Sequence, residues 1–194
     1  MKYSAQDKLT RNAQRVLRDF VVAMRDQLAE SPFAKITVND LCNEANYPRS
    51  TFYNYFDDKF DLLNYCWSQA IALIGLDQVH ATAGETVLLE TFDRLYVLLT
   101  THQDYVNQVL ANNNYAFLRA NLYEYMVTIA QKMFHDAFAC ESDLPIEMSV
   151  EHCFDTITTV LNWIFVKQHP TTLAQAHRYL AELYGFDLAS IPEA

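Results

Sequence analysis

Three helix starts lie close together in residues 36–63, which read ITVNDLCNEANYPRSTFYNYFDDKFDLL. Thr37 and Asp40 have the spacing of a capping box, in which side chains satisfy amides of the first helical turn. Asn46 tolerates the left-handed backbone of a tight turn, and Pro48 is compatible with the start of a second helix. A third start, DDKFD, follows. Preceded by a longer helix, this pattern predicts a helix-turn-helix unit.

Apolar residues recur at three- and four-residue steps along most of the chain, which is typical of amphipathic helices. Only 3 residues are Gly and 51% are hydrophobic, and this composition favours a helix-rich protein over a turn-rich β protein. We therefore predict an all-α fold of about nine helices with no sheet. The predicted helices are 6–30, 37–45, 49–55, 58–79, 86–100, 101–112, 115–138, 146–167 and 172–184, with Gly185 as the last C-terminal cap.

The formal net charge of −10 is unevenly distributed. Residues 1–66 contain nine basic and nine acidic side chains, whereas residues 67–194 contain five and fifteen. This asymmetry favours a small, neutral-to-basic domain over residues 1–66 that could bind nucleic acid, attached to an acidic body over residues 67–194.

Several classes of protein are disfavoured. No apolar run approaches the length of a membrane span, and the N-terminus lacks the apolar stretch of a signal peptide, so we expect a cytoplasmic protein. The four cysteines, 42, 66, 140 and 153, form no CxxC motif, which indicates reduced core thiols. The six histidines show no metal-ligand spacing and no Gly-rich phosphate loop occurs, so we expect no cofactor and no catalysis.

Residues 36–63 resemble the DNA-binding motif of the tetracycline-repressor-type (TetR) family. The matching positions are Ile36-Thr37-Val38, Cys42, Thr51–Phe56, Asp58-Lys59 and Leu62-Leu63. Two positions depart from the family pattern, since Asn46 stands where the family usually has Gly and Pro48 where it often has Ser or Thr. The remaining two thirds of the chain match only as an all-helical body.

The resemblance implies a regulator that binds a pseudo-palindromic double-stranded DNA operator as a homodimer. Phe52 and Phe56 are four residues apart on one helix face and should be core. Tyr53 and Tyr55 point elsewhere, where a phosphate oxygen could partner each hydroxyl. The predicted DNA contacts are Thr37, Asn39, Tyr47, Arg49, Ser50, Thr51, Tyr53, Asn54, Tyr55 and Lys59. Thr37 and Lys59 would bind phosphates. The candidates for base edges are Arg49, Ser50, Thr51 and Asn54, together with Asn39.

The resemblance also places an effector pocket among the middle helices and a dimer interface on the last two long helices. The candidate effector-binding residues are Tyr96, Tyr105, Tyr123, Met126, Phe134 and Trp163. The candidate interface residues are Ile157, Leu161, Ile164, Ala176, Leu180 and Leu183. The 146–167 helix is apolar on more than one face, and both faces must be buried.

Two alternatives remain open for the body. Its aromatic residues could be ordinary core, and the last two helices could complete a monomer. We predict a transcriptional repressor released from DNA by a small-molecule effector, and the alternative is a TetR-like regulator controlled by a partner protein.

Overall fold

The computed structural model describes residues 9–75, 84–133 and 144–188. Within these ranges the chain forms nine α-helices and no strand, which confirms the all-α prediction. The helices are α1 (Arg11–Glu30), α2 (Val38–Glu44), α3 (Arg49–Tyr55), α4 (Lys59–Leu73), α5 (Gly84–Thr101), α6 (Gln103–Asn112), α7 (Tyr115–Met133), α8 (Ile146–Leu161) and α9 (Leu173–Tyr184). A π-helical turn, Asn162–Val166, continues α8. None of the described helices is long and apolar enough to cross a lipid bilayer.

Local capping chemistry sets most helix boundaries as predicted. The capping box of Thr37 begins α2, Asn46 follows α2 with a φ of 57°, and Gly185 closes α9 with a φ of 91°. The predicted continuation of the fourth helix is wrong at residues 74 and 75, because α4 ends at Leu73 and Gly75 adopts a left-handed φ of 64°, and residues 76–79 lie outside the described residues. The predicted helix 6–30 is wrong at residues 9 and 10, because α1 begins at Arg11 with Thr10 as its N-cap. Residues 6–8 and the end of helix 115–138 lie outside the described residues.

The chain forms two compact units. The first comprises residues 1–73 and 104–122, so it holds α1–α4, nearly all of α6 and the start of α7. The second comprises residues 74–103 and 123–194. The predicted division of the chain after residue 66 stays a prediction.

An aromatic cluster forms the centre of the first unit's core. Phe20 of α1 is 0% exposed and meets the rings of Phe52 and Phe56 edge-on, at centroid distances of 5.3 and 6.0 Å. The ring of Tyr47 lies 5.6 Å from Phe20. Because Phe52 and Phe56 are both buried against α1, their prediction as core residues is confirmed.

Two asparagines at the end of α6 complete the C-terminus of α1. The carbonyl of Leu28 would normally accept from the amide four residues later, but that residue is Pro32, which has no N–H. Asn113 Nδ2 donates to this carbonyl at 2.8 Å, and Asn112 Nδ2 donates to the following carbonyl at 2.6 Å. The amide of Phe33 donates to Asn113 Oδ1 at 2.6 Å. We call Asn112 and Asn113 the asparagine clamp.

The three described cysteines are free thiols. Cys42 and Cys153 are buried, and Cys66 is half-buried. Burial raises the pKa of the Cys66 and Cys153 thiols to about 12. These thiols are therefore protonated and unreactive at neutral pH, which agrees with reduced core cysteines. Cys140 lies outside the described residues.

Candidate nucleic-acid interface

The turn between α2 and α3 aims α3 outward. After Asn46 reverses the chain, the amide of Tyr47 donates to the carbonyl of Cys42 at 3.0 Å. Pro48 then takes an extended conformation with a φ of −68° and acts as the N-cap of α3 without a side-chain hydrogen bond. The two departures from the family motif thus fit this turn, since Asn tolerates the left-handed conformation and Pro the extended N-cap.

One face of α3 points away from the hydrophobic core. Phe52 is buried, whereas Arg49, Ser50, Tyr53 and Asn54 are exposed. Thr51 and Tyr55 are half-buried, and Tyr55 packs at the edge of the aromatic core. The structure therefore brings together three of the predicted base-reading residues of α3, Arg49, Ser50 and Asn54, on one accessible surface, whereas the fourth, Thr51, is only partly accessible. Asn39 on α2 is also exposed.

Arg49 and Tyr53 support each other on this face. Arg49 Nη2 donates to the Tyr53 hydroxyl at 3.2 Å, and its guanidinium lies 5.8 Å from the ring centroid. The hydrogen bond to Tyr53 raises the pKa of Arg49, so the side chain stays cationic. The remaining donors of the guanidinium fork have the geometry that suits the two acceptors of a guanine edge.

Thr37 uses its side chain within the capping box of α2. The amide of Asp40 donates to the Thr37 oxygen at 3.2 Å, while the hydroxyl and the amide of Thr37 donate to Asp40 Oδ2 at 2.6 and 2.9 Å. These hydrogen bonds from Thr37 lower the pKa of the Asp40 carboxyl, so the carboxylate stays charged at neutral pH. A phosphate at this position would have to tolerate that charge, and the phosphate contact of Thr37 stays a prediction.

Lys59 lies over the loop that enters α2. Its ammonium donates to the carbonyls of Phe33 and Ile36, both at 2.8 Å, and to that of Ala34 at 3.3 Å. Burial lowers the pKa of Lys59. An ammonium has three N–H donors, and here all three meet loop carbonyls. A direct phosphate contact, which stays a prediction, would require one of these bonds to be released.

Tyr47 is directed back toward α1. Its hydroxyl donates to Asp19 Oδ2 at 3.0 Å. Burial, and next the hydrogen bond to Asp19, raise the pKa of Tyr47. The sequence did not reveal this pairing, because the two residues lie 28 positions apart. Its predicted DNA contact is untested, and the hydroxyl is already engaged.

The predicted effector-binding residues are distributed over both units. Tyr105 lies in the first unit, where the guanidinium of Arg25 stands 5.1 Å from its ring, and burial raises its pKa to about 12. In the second unit Tyr96 packs 5.8 Å from Phe165, Tyr123 packs on Phe154, and Met126 is half-buried. Trp163 is exposed and stacks on His169. Phe134 lies outside the described residues, and the effector site stays a prediction.

The predicted dimer residues face in different directions. Ile157, Ala176 and Leu180 are buried in the second unit's own core, so in this structure they have no surface to offer a partner. Leu161 and Ile164 are half-buried, and Leu183 is 52% exposed. Large apolar residues that are exposed on α8, its π-helical turn and α9 are Met148, Trp163, Leu173, Tyr179 and Leu183. A dimer interface on these helices stays a prediction, and it would have to use this exposed set.

Among the described residues, no group of three or more His, Cys, Asp or Glu is placed to hold a metal ion. His177 and Asp93 form a pair at 2.6 Å in the second unit. The ring of Phe92 packs edge-on against His177. These contacts join α9 to α5, so the His177–Asp93 pair belongs to the packing between the two helices.

Comparison with known proteins identifies the family. Residues 21–66, from the middle of α1 into α4, match the family of bacterial regulatory proteins called the tetR family. This segment is similar to the N-terminal domain of tetR-family regulators. The match includes α3 with its buried Phe52, so the resemblance seen in the sequence is confirmed.

Individual relatives agree with this similarity. Over 58 residues it is 40% identical to the probable acrEF/envCD operon repressors of Escherichia coli strains K12 and O157:H7. That alignment spans 30% of this chain and 26% of each relative. The fatty acid degradation regulator FadR of Bacillus halodurans superposes with a TM-score of 0.53 over 92% of this chain and 96% of its own. At 14% identity, this likeness demonstrates a shared fold.

Proposed function

We propose that this protein is a sequence-specific DNA-binding transcriptional repressor. The observation that carries the proposal is the exposed face of α3, on which Arg49, Ser50, Tyr53 and Asn54 stand over a buried aromatic core. A rigid helix with accessible polar side chains is what readout of the major groove requires. The name of the E. coli relatives, operon repressors, supports the direction of regulation.

Three residues on α3 have proposed roles. Arg49 donates to O6 and N7 of a guanine, and Asn54 donates to and accepts from an adenine. Tyr53 holds a backbone phosphate with its hydroxyl, which fixes the register of the helix in the groove. The net charge of −10 lies on residues 67–194, so the acidic body repels DNA and confines contact to the N-terminal domain.

A homodimer would present two copies of α3 to the two halves of a pseudo-palindrome. In two-fold helix-turn-helix proteins the half-sites lie about 34–36 Å apart, one turn of DNA. The exposed apolar side chains Met148, Trp163, Tyr179 and Leu183 support association through α8 and α9. Exposed large apolar groups of this kind are typical of protein interfaces.

Release from DNA is proposed to follow binding of a small-molecule effector, with control by a partner protein as the alternative. The aromatic residues of the second unit, such as Tyr96 and Tyr123, support a ligand that is mainly apolar with a polar group. A thermal-shift screen of small molecules separates the two alternatives, because a tight ligand raises the apparent stability. A compound that both stabilises the protein and releases it from DNA supports the effector.

Selection of bound duplexes from random DNA tests the main proposal. The selected sequences are expected to show inverted symmetry, because a two-fold protein reads two equivalent half-sites. A pool without any enriched sequence would contradict specific DNA binding. An enriched sequence without inverted symmetry would leave DNA binding intact and contradict the homodimer.

Arg49→Ala is expected to relax the preference at one base pair of each half-site. The cost at the selected sequence should be about 1–3 kcal/mol, since one bidentate pair is lost. On a duplex in which that base pair is changed, the affinity of Arg49→Ala should differ little from that of the wild type. Competition between the two duplexes measures the effect, and Arg178→Ala on α9 removes the same charge as a control. Equal loss on both duplexes would assign Arg49 to the phosphate backbone.

Lys59→Ala is expected to weaken binding to every duplex to a similar degree. If Lys59 binds one phosphate, the slope of log K against log salt should fall in magnitude by about 0.9. The three hydrogen bonds to loop carbonyls provide a second possible cause of weaker binding. A melting curve separates the two causes. An unchanged salt slope together with a lower melting temperature would contradict the phosphate contact and assign Lys59 to the loop.

A further inference from the structure

An arginine-rich surface lies on the N-terminal half of α1. Arg11, Arg15 and Arg18 are spaced by four and three residues, so they share one side of the helix. All three are exposed, and the side chains of Arg15 and Arg18 are 71% and 70% accessible. Neither the effector nor the dimer proposal uses this surface, and the predicted DNA contacts on α2–α4 do not include it.

Asp19 connects this arginine-rich surface to the residues that precede α3. The carboxylate accepts from the Tyr47 hydroxyl at 3.0 Å and pairs with Arg18 at 3.1 Å and Arg15 at 3.8 Å. Tyr47 directly precedes Pro48, the N-cap of α3. Arg15 and Arg18 are therefore held beside the turn that leads into the helix proposed to enter the major groove.

The single negative charge of Asp19 faces two positive charges, those of Arg15 and Arg18. One carboxylate serves two guanidiniums, which together carry ten N–H donors, and most of these donors face solvent. Ion pairs this exposed are weak, because water screens them and long side chains lose entropy in forming them. Replacing the Asp19 carboxylate by a phosphate oxygen therefore costs little, and the phosphate offers a stronger, charge-assisted partner.

We propose that Arg15 and Arg18 bind DNA backbone phosphates beside the groove read by α3, and that Asp19 is the counter-ion they exchange for phosphate. The inference rests on the proposed DNA-binding function and extends its contact surface to α1. Such contacts position the protein and add affinity without base preference. They should therefore strengthen binding to all sequences alike.

The double variant Arg15→Gln, Arg18→Gln tests the proposal in the full-length protein. Two probes are used, the duplex selected by the wild type and a random duplex of equal length. Affinity is measured by fluorescence anisotropy between 50 and 200 mM salt. Loss of two phosphate contacts should lower the slope magnitude by nearly two, so that the wild type loses about 10-fold more affinity over this range than the variant. The ratio of the two affinities should stay at the wild-type value.

Arg25→Gln is the matched control. It removes one arginine charge, half the change in the double variant, from the same helix about 10–15 Å further along the axis, where the guanidinium lies over the Tyr105 ring. Its salt slope should equal that of the wild type. A control slope reduced as much as that of the double variant would show a general charge effect and overturn the assignment to Arg15 and Arg18.

Asp19→Asn tests the counter-ion role in the opposite direction. Asn retains an oxygen that accepts from Tyr47 but lacks the charge, so both arginines become available to phosphate. Affinity for both duplexes should rise severalfold. No gain, or a loss with wild-type circular dichroism, would contradict the exchange. If the double variant is unfolded, Asp19→Asn still tests whether Arg15 and Arg18 bind phosphate.

The failure of this inference can be told apart from failure of the proposed function. A wild type that binds neither duplex overturns the DNA-binding proposal itself. A wild type that binds its selected duplex, while the folded double variant keeps the same salt slope, overturns only the role of Arg15 and Arg18.

Discussion

Phe20→Ala is expected to lower the free energy of unfolding of the first unit by about 3–5 kcal/mol. The Phe20 ring is 0% exposed and contacts the rings of Tyr47, Phe52 and Phe56. Its removal leaves a cavity between α1 and α3 that these three rings can fill only in part. Because the N-terminal domain is marginal in size, a loss of this magnitude should also abolish DNA binding at moderately elevated temperature.

Urea unfolding followed by tryptophan fluorescence measures this change. The chain has 2 tryptophans, and a Trp163→Phe background leaves Trp67 of the first unit as the reporter. Val22→Ala is the control, since Val22 lies two positions away on α1 and is 44% exposed. The control should change stability by no more than about 0.5 kcal/mol. Equal effects of Phe20→Ala and Val22→Ala would contradict the packing of α1 on α3.

Asn113→Leu is expected to destabilise the first unit by about 2–4 kcal/mol, since each buried polar group without a partner costs about 1–3 kcal/mol. The substitution leaves the amide of Phe33 and the carbonyl of Leu28 without their hydrogen bonds. Pro32 prevents the carbonyl from finding a partner along the helix. The loop that enters α2 should loosen, and affinity for all DNA sequences should fall together.

Asn107→Leu provides the matched control for this prediction. Asn107 is exposed on the same helix, α6, so the same chemical change should alter stability by no more than about 0.5 kcal/mol. The Trp67 reporter also applies here, because Trp67 Nε1 donates to Asn121 at 2.7 Å within the first unit. A variant Asn113→Leu as stable as the control would mean that the asparagine clamp contributes nothing.

Features that depend on neighbouring residues could be predicted from the sequence. The capping boxes of α2 and α9, the left-handed conformations of Asn46 and Gly185, and the spacing of Phe52 and Phe56 all involve residues within four positions of one another. Backbone geometry brings such residues together in any fold that contains the helix. The family motif extended this reading to DNA binding, because its residues lie in one continuous segment.

Boundaries were less certain where two signals competed. The apolar pattern after residue 73 continues in helical spacing, and it predicted a helix as far as residue 79. Gly75 instead takes a left-handed conformation directly after α4. A Gly near the end of a periodic segment is a recognised C-terminal signal, and here it outweighed the periodicity.

Only the tertiary structure decided which apolar helix residues pack in the core and which are exposed. Ala176 and Leu180 were predicted to meet a second copy, but they pack in the core of the second unit, whereas Leu183 on the same helix is exposed. A core and a dimer interface bury the same kinds of side chain. Periodicity therefore identifies a face that must be covered without identifying what covers it.

The partners of the polar side chains were also decided by tertiary structure. Asn113 meets Phe33 across 80 residues of sequence, Tyr47 meets Asp19 across 28, and Lys59 meets the carbonyl of Phe33 across 26. The sequence determined an all-α chain with a TetR-type helix-turn-helix segment, because helix caps, turns and amphipathic spacing are local. Folding alone determined the acceptor that each polar side chain meets, because a hydrogen bond goes to whichever acceptor packing brings within about 3 Å.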